Sequence, residues 1–93
     1  MSTRTARRYL ISGTVHGAGF RFFVERAARA IGVAGWACNL DDGNVEVHAS
    51  GTTRQLDDLE ARLRQGPPGA AVRSVEAKEA AMLELKGFHI RYR

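Results

Sequence analysis

Three glycines precede a single arginine in "GTVHGAGFR", residues 13–21, and one asparagine, Asn39, stands near the end of the apolar stretch "VAGWACNL". Glycine adopts positive φ at almost no steric cost, so Gly13, Gly17 and Gly19 allow consecutive backbone N–H groups to turn toward one point. A helix starting there adds its own unpaired N–H groups, and the result is a cradle for an anion such as phosphate. Arg21 offers a planar fork of donors that stays charged at any working pH and matches two phosphate oxygens. Asn39 offers a carboxamide that both donates and accepts, the property needed to hold a water molecule against a reacting atom. Together these residue types suit phosphoryl chemistry carried by positioning and charge stabilisation. The chain has no G-x-x-x-x-G-K-S/T, its glycines do not fit G-x-G-x-x-G, and no pair of His, Cys or carboxylates has metal-ligand spacing. Neither a cofactor nor a metal is expected.

Plainer readings of the same residues stay open at this level. Arg21 lies four residues before Glu25, the spacing of an exposed helical ion pair worth a few tenths of a kcal/mol. Asn39 precedes Asp41-Asp42-Gly43, where an asparagine often serves as a turn residue. The glycines by themselves require no more than a strand-to-helix turn.

The elements that must position these residues follow from periodicity. "RRYLISGTV" is an apolar run with little alternation, as in a central strand covered by other structure. Phe20, Phe23, Val24, Ala27 and Ile31 then fall on a helical stripe that Gly32 ends. "VAGWACNL" and "NVEVHAS" read as two strands joined at "DDG", with Val45, Val47 and Ala49 on one face and Glu46, His48 and Ser50 on the other. Thr52 and Gln55 have capping-box spacing before a second helix with Leu56, Leu59 and Leu63 as its buried stripe, stopped by "GPPG" at 66–69. "AAVRSVEAKEA" fits a fourth strand, in which Val72 and Val75 are three apart, leaving a bulge or an error of register as the alternatives. "GFHIRYR" adds a short last strand that alternates Phe88, Ile90 and Tyr92. The order β-α-β-β-α-β is the split βαβ arrangement, expected as a four- to five-stranded antiparallel sheet with both helices on one face. Residues 1–93 are read as one domain, with 1–6 as a flexible N-terminal segment.

Composition is that of an ordinary globular chain, 44% hydrophobic and 26% charged, with no apolar run approaching a membrane span and no signal-peptide core. A lone cysteine, Cys38, matches a reducing compartment, and a cytoplasmic location is expected. The formal charge of +4 favours anionic partners without choosing among them, and the basic residues are dispersed rather than clustered.

The paired stretches "SGTVHGAGFR" and "GWACNLDDGNVEV" resemble the acylphosphatase family, whose pattern is roughly G-K/R-V-Q-G-V-x-F/Y-R followed by G-W/F/Y-A/V-x-N-x-x-D/R-G-x-V-E. The resemblance runs from about Tyr9 to the end, the closing "FHIRYR" being similar to the family's C-terminal strand. It implies a ferredoxin-like fold and a monomeric, metal-independent enzyme that hydrolyses acyl phosphates to carboxylate and inorganic phosphate. Carried onto this chain, it makes Arg21 the phosphate-binding arginine, Asn39 the residue orienting the attacking water, and Val15, His16, Gly17, Ala18, Gly19 and Phe20 the phosphate loop. It also implies that the water's proton passes to the substrate's own phosphate oxygen. Four positions depart from the usual pattern: Thr14 replaces a Lys or Arg, His16 replaces Gln, Gly19 stands where a side chain is usual, and Leu40 follows the asparagine where a polar residue often does.

Other uses of the same residues lead elsewhere. Were His16 a general base, kcat would fall on acidification through roughly pH 6.5. His48 and His89 are expected at the surface, and Cys38 is expected to pack on the sheet face opposite to Asn39. A nucleic-acid-binding module is the main competing class, but it needs aromatics on the open faces of the first and third strands, and "NVEVHAS" has none, so no specific nucleic-acid partner is expected. A carbamoyl phosphate-handling domain of a larger maturation enzyme is a third possibility.

Overall fold

A computed structural model describes residues 3–15 and 18–92, apart from the side chain of Ala18. His16 and Gly17 of the candidate loop lie outside the described residues. Along the chain the elements are β1 (Arg4–Thr14), α1 (Ala18–Ile31), β2 (Ala34–Asn39), β3 (Val45–Thr52), α2 (Thr53–Gln65), β4 (Ala71–Ala80) and β5 (Phe88–Arg91). Alternation along the strands sends Tyr9, Ile11, Ala37, Val45, Val47 and Ala49 to one face of the sheet, where all are fully buried. Val24, Ala27 and Ala28 of α1 and Leu56, Leu59 and Leu63 of α2 close over that face and complete a single core. The predicted capping box is present: the Gln55 backbone N–H donates to the Thr52 hydroxyl at 3.1 Å, and the Thr52 N–H donates to the Gln55 side-chain oxygen at 2.9 Å. Among the described residues no helix is long and apolar enough to cross a membrane.

The strands lie in the order β4-β1-β3-β2-β5. The first four are mutually antiparallel, but β5 runs parallel to β2, so the sheet is mixed rather than antiparallel throughout. The reason is where the chain re-enters. β4 stops at the same end of the sheet at which β2 starts, and residues 81–87 carry the chain past the other strands to the free side of β2. A strand starting there can only run with β2. The span is about four strand spacings of ~4.8 Å, within the reach of seven extended residues. The Gly35 N–H, donating to the Gly87 carbonyl at 2.9 Å, fixes the entry point.

Three further details correct or sharpen the sequence reading. First, β1 begins at Arg4, and Ala6 is fully buried between Ser50 and Ala80, so residues 4–6 belong to the sheet rather than to a flexible segment. Second, the register shifts between Ser12 and Gly13, where Arg73 is the extra residue of β4. That bulge lets Val72 and Val75 both pack on the core despite their spacing. Gly13 sits there at φ +126°, and a Cβ would stand 2.1 Å from the Ala71 carbonyl oxygen. Third, His48 is only 5% exposed, not a surface residue. Its ring stacks on Trp36 across β2 and β3, centroids 5.8 Å apart. Burial and the nearby Arg8 guanidinium push its pKa below the ordinary imidazole value, with Glu46 acting in the opposite sense. His89 is exposed, as expected.

Candidate active site

Because β1, β2 and β5 all run the same way, their C-terminal ends meet at one end of the sheet, together with the start of β4. That end carries Thr14 from β1 with Val15 just after it, Asn39 from β2 and Tyr92 just beyond β5. α1 rises directly from the loop after β1, which puts Arg21 in its first turn. The plainer alternative, an exposed pair with Glu25, does not form: Glu25 is held instead by Arg29 at 3.3 Å, and no ion pair among the described residues involves Arg21. The Arg21 Nε is buried and has no hydrogen-bond partner among the described residues. Its guanidinium carbon lies 5.0 Å from the centroid of the Tyr92 ring.

Asn39 is reached through the strand register. Cys38 pairs with Arg91, so Asn39 and Tyr92 lie abreast at the ends of neighbouring parallel strands, roughly 4.8 Å apart and on the core-facing parity. Arg21 sits over one of these residues and Asn39 stands beside it, and in this way the arginine and the asparagine share one corner of the molecule. The turn after Asn39 is closed without its side chain. The Leu40 N–H donates to the Asn44 carbonyl at 2.8 Å, the Gly43 N–H donates to the Leu40 carbonyl at 3.1 Å, and the Asp42 carboxylate accepts from the Asn44 backbone at 3.0 Å and side chain at 3.2 Å. The Asn39 Oδ1 is buried and, like the Arg21 Nε, has no partner among the described residues. Cys38 is buried on the opposite face, its thiol donating to the Asn39 carbonyl at 3.4 Å.

The rest of the candidate loop divides by role. Val15 and Phe20 are buried core residues, Phe20 packing at 6.0 Å from the Phe23 ring, so what they present to a ligand is backbone. Gly19 is exposed, with open space where a Cβ would stand. Ala18 begins α1. The first turn of α1 holds no acidic residue and instead carries a guanidinium, a cation at the positive end of the helix dipole. Such placement is unfavourable by roughly 0.3–1 kcal/mol until an anion arrives between the two positive groups. The buried unpartnered guanidinium donor and the helix N-terminus together suit an oxyanion, and the buried Asn39 acceptor beside them suits a donor such as water.

Tyr92 is the member of this corner that the sequence reading did not select. Its parity with Phe88 and Ile90 put it on the core-facing side, but only the parallel pairing of β5 with β2 brings it next to Asn39 and under Arg21.

The acylphosphatase family model matches residues 7–90. An acylphosphatase of Koribacter versatilis is 49% identical over 89 residues, which cover 95% of this chain and 81% of that protein. Among solved structures, an acylphosphatase from Coxiella burnetii superposes with a TM-score of 0.90 at 34% identity, covering 95% of this chain and 93% of the other. The acylphosphatase from Bacillus subtilis gives 0.88 at 35% identity, covering 94% and 98%. The ferredoxin-like sheet, the two motifs that meet at its end, and these relatives agree, and the chain belongs to the acylphosphatase family.

Proposed function

We propose that this chain hydrolyses the bond between carboxylate and phosphate in acyl phosphates, with Arg21 binding the phosphoryl oxygens and Asn39 holding the attacking water. Backbone N–H groups of residues 15–20 complete the cradle. The observation that carries this reading is the pair of buried polar atoms at one corner, the Arg21 Nε and the Asn39 Oδ1, that lack partners among the described residues. Buried polar groups are ordinarily satisfied, and an unsatisfied pair beside a helix N-terminus is accounted for by a ligand and its water.

The chemistry asks little of the protein, because the leaving group is already a good one. The water oxygen bonds to phosphorus, the bond from phosphorus to the acyl oxygen breaks with its electrons going to the carboxylate, and the water's proton passes to a phosphate oxygen. Charge spread over three equatorial oxygens in the transition state is met by the guanidinium fork and by the N–H groups. Asn39 accepts a hydrogen bond from the water and so aims its lone pair at phosphorus. Tyr92 lies against the guanidinium carbon and restricts the plane in which the fork can lie. We place the enzyme in the cytoplasm as a monomer; the single free cysteine is in keeping with a reducing compartment.

Hydrolysis of benzoyl phosphate without added metal tests the proposal. The wild type should turn it over, and Arg21→Ala and Asn39→Ala should each lose ~10²-fold or more in kcat/KM. Unchanged rates in variants that remain folded would refute it.

A further inference from the structure

At the end of the sheet that carries the site, strands follow in the order β4, β1, β3, β2, β5. Asn39 closes β2, and the loop that follows β1 begins two strand positions away, on the order of 10 Å. The segment between α2 and β4 lies one strand further still, on the side of that loop remote from Asn39. There Thr14, Val15, Gly19 and Phe20 form one wall and residues 67–70 the other wall of a groove of about 280 Å³.

In-line displacement puts the entering and leaving oxygens on opposite sides of phosphorus. A water held at Asn39 enters from the β2 side, so the acyl oxygen departs toward β4, where the groove lies. From this order of elements we infer that the groove is the acyl-binding subsite, and that it favours acyl phosphates with a compact apolar acyl group, such as a single ring or short branched chain. The inference rests on the roles given above to Arg21 and Asn39.

The lining fits that class. Pro67, Pro68 and Ala70 present hydrocarbon, Phe20 and Val15 stand behind, and among the described lining residues the polar side chain is the Thr14 hydroxyl. Among the described residues no charged side chain lines the groove, so on that wall an acyl group bearing a second carboxylate or phosphate loses hydration without gaining a partner. Its volume falls near the lower limit of ligand pockets, suited to one ring rather than a long chain. The wall is also stiff: two consecutive prolines have fixed φ, and the Ala70 N–H donates to the Pro67 carbonyl at 3.2 Å. A stiff apolar wall binds without first having to be ordered.

Steady-state kinetics on benzoyl phosphate and acetyl phosphate, with the wild type and Pro68→Trp, test this. Pro68 is exposed and ends no regular element, so the substitution leaves the fold intact, and hydrolysis of acetyl phosphate reports on that in the same experiment. The quantity read is the ratio of kcat/KM for benzoyl over acetyl phosphate; comparing that ratio between proteins cancels the intrinsic reactivity of the two anhydrides. An indole filling the groove should lower the ratio by ~10-fold, while the inhibition constant of inorganic phosphate stays the same. A ratio unchanged by Pro68→Trp, with both substrates still hydrolysed, overturns the acyl subsite and leaves the roles of Arg21 and Asn39 standing. Failure of the wild type to hydrolyse either substrate overturns those roles and the subsite with them.

Discussion

Replacing Asn39 with alanine separates a chemical role from a turn-making one, because only the second predicts a loss of stability. In the structure the turn that follows is held by Leu40, Asp42, Gly43 and Asn44, and the Asn39 Oδ1 is buried without a partner among the described residues. A buried acceptor left unsatisfied costs about 1–3 kcal/mol. Alanine removes that cost and keeps the Cβ, and since the lost atoms are polar, little apolar burial goes with them. The water that Asn39 holds offsets part of that cost, so the expected Tm is no lower than that of the wild type, each kcal/mol recovered adding about 4–8 °C in a domain of this size. A turn-making asparagine would instead lose a hydrogen bond worth about 0.5–1.5 kcal/mol, and Tm would fall. The assay is thermal unfolding followed by circular dichroism, in buffer free of phosphate, since an anion bound to the native state raises Tm by itself. A variant that is inactive on benzoyl phosphate yet melts no lower than the wild type fits the proposed role. A variant that melts several degrees lower refutes the reasoning, whatever its activity.

Two more outcomes follow from the packing. His48 has a native pKa below its ordinary value of 6.5, chiefly through burial, so the unfolded chain takes up the proton more readily than the native one. Its contribution to stability is therefore complete above about pH 6.5 and is lost as pH falls through the native value. Tm should drop between pH 7.5 and pH 5, and His48→Gln should show a shallower drop; parallel curves would remove His48 as the cause. Gly35 stands at φ +152° with a Cβ position 1.8 Å from the backbone carbonyl oxygen of His48 on β3. Gly35→Ala must separate β2 from β3 and should cost about 3 kcal/mol or more, read as a fall in the urea midpoint, whereas an unchanged midpoint would show that this close approach is not needed.

Much of the fold was legible because burial imposes periodicity. Leu56, Leu59 and Leu63 announce a helix, Val45, Val47 and Ala49 announce a strand, and Thr52 with Gln55 marks where one becomes the other. The spacing of Val72 and Val75 left a bulge and an error of register open, and the shift opposite Ser12 and Gly13 decides for the bulge. His48 was misread for a related reason. Alternation assigned it correctly to the face away from the helices, but that face is not uniformly wet, and Trp36 from the next strand lies against its ring.

Local pattern also picked out Arg21 and Asn39, because glycines before an arginine and an asparagine before a tight turn are chemical signals in their own right. Sequence by itself thus determined the elements and their order, and it singled out Arg21 and Asn39 as the candidates for handling a phosphate. Tertiary structure alone decided that β5 runs with β2, that Tyr92 therefore stands beneath Arg21 and beside Asn39, and that the proline segment faces the loop from the other side. Periodicity reports which face of an element is buried; it carries no information about which distant element supplies the covering atoms, and a site is made of such neighbours.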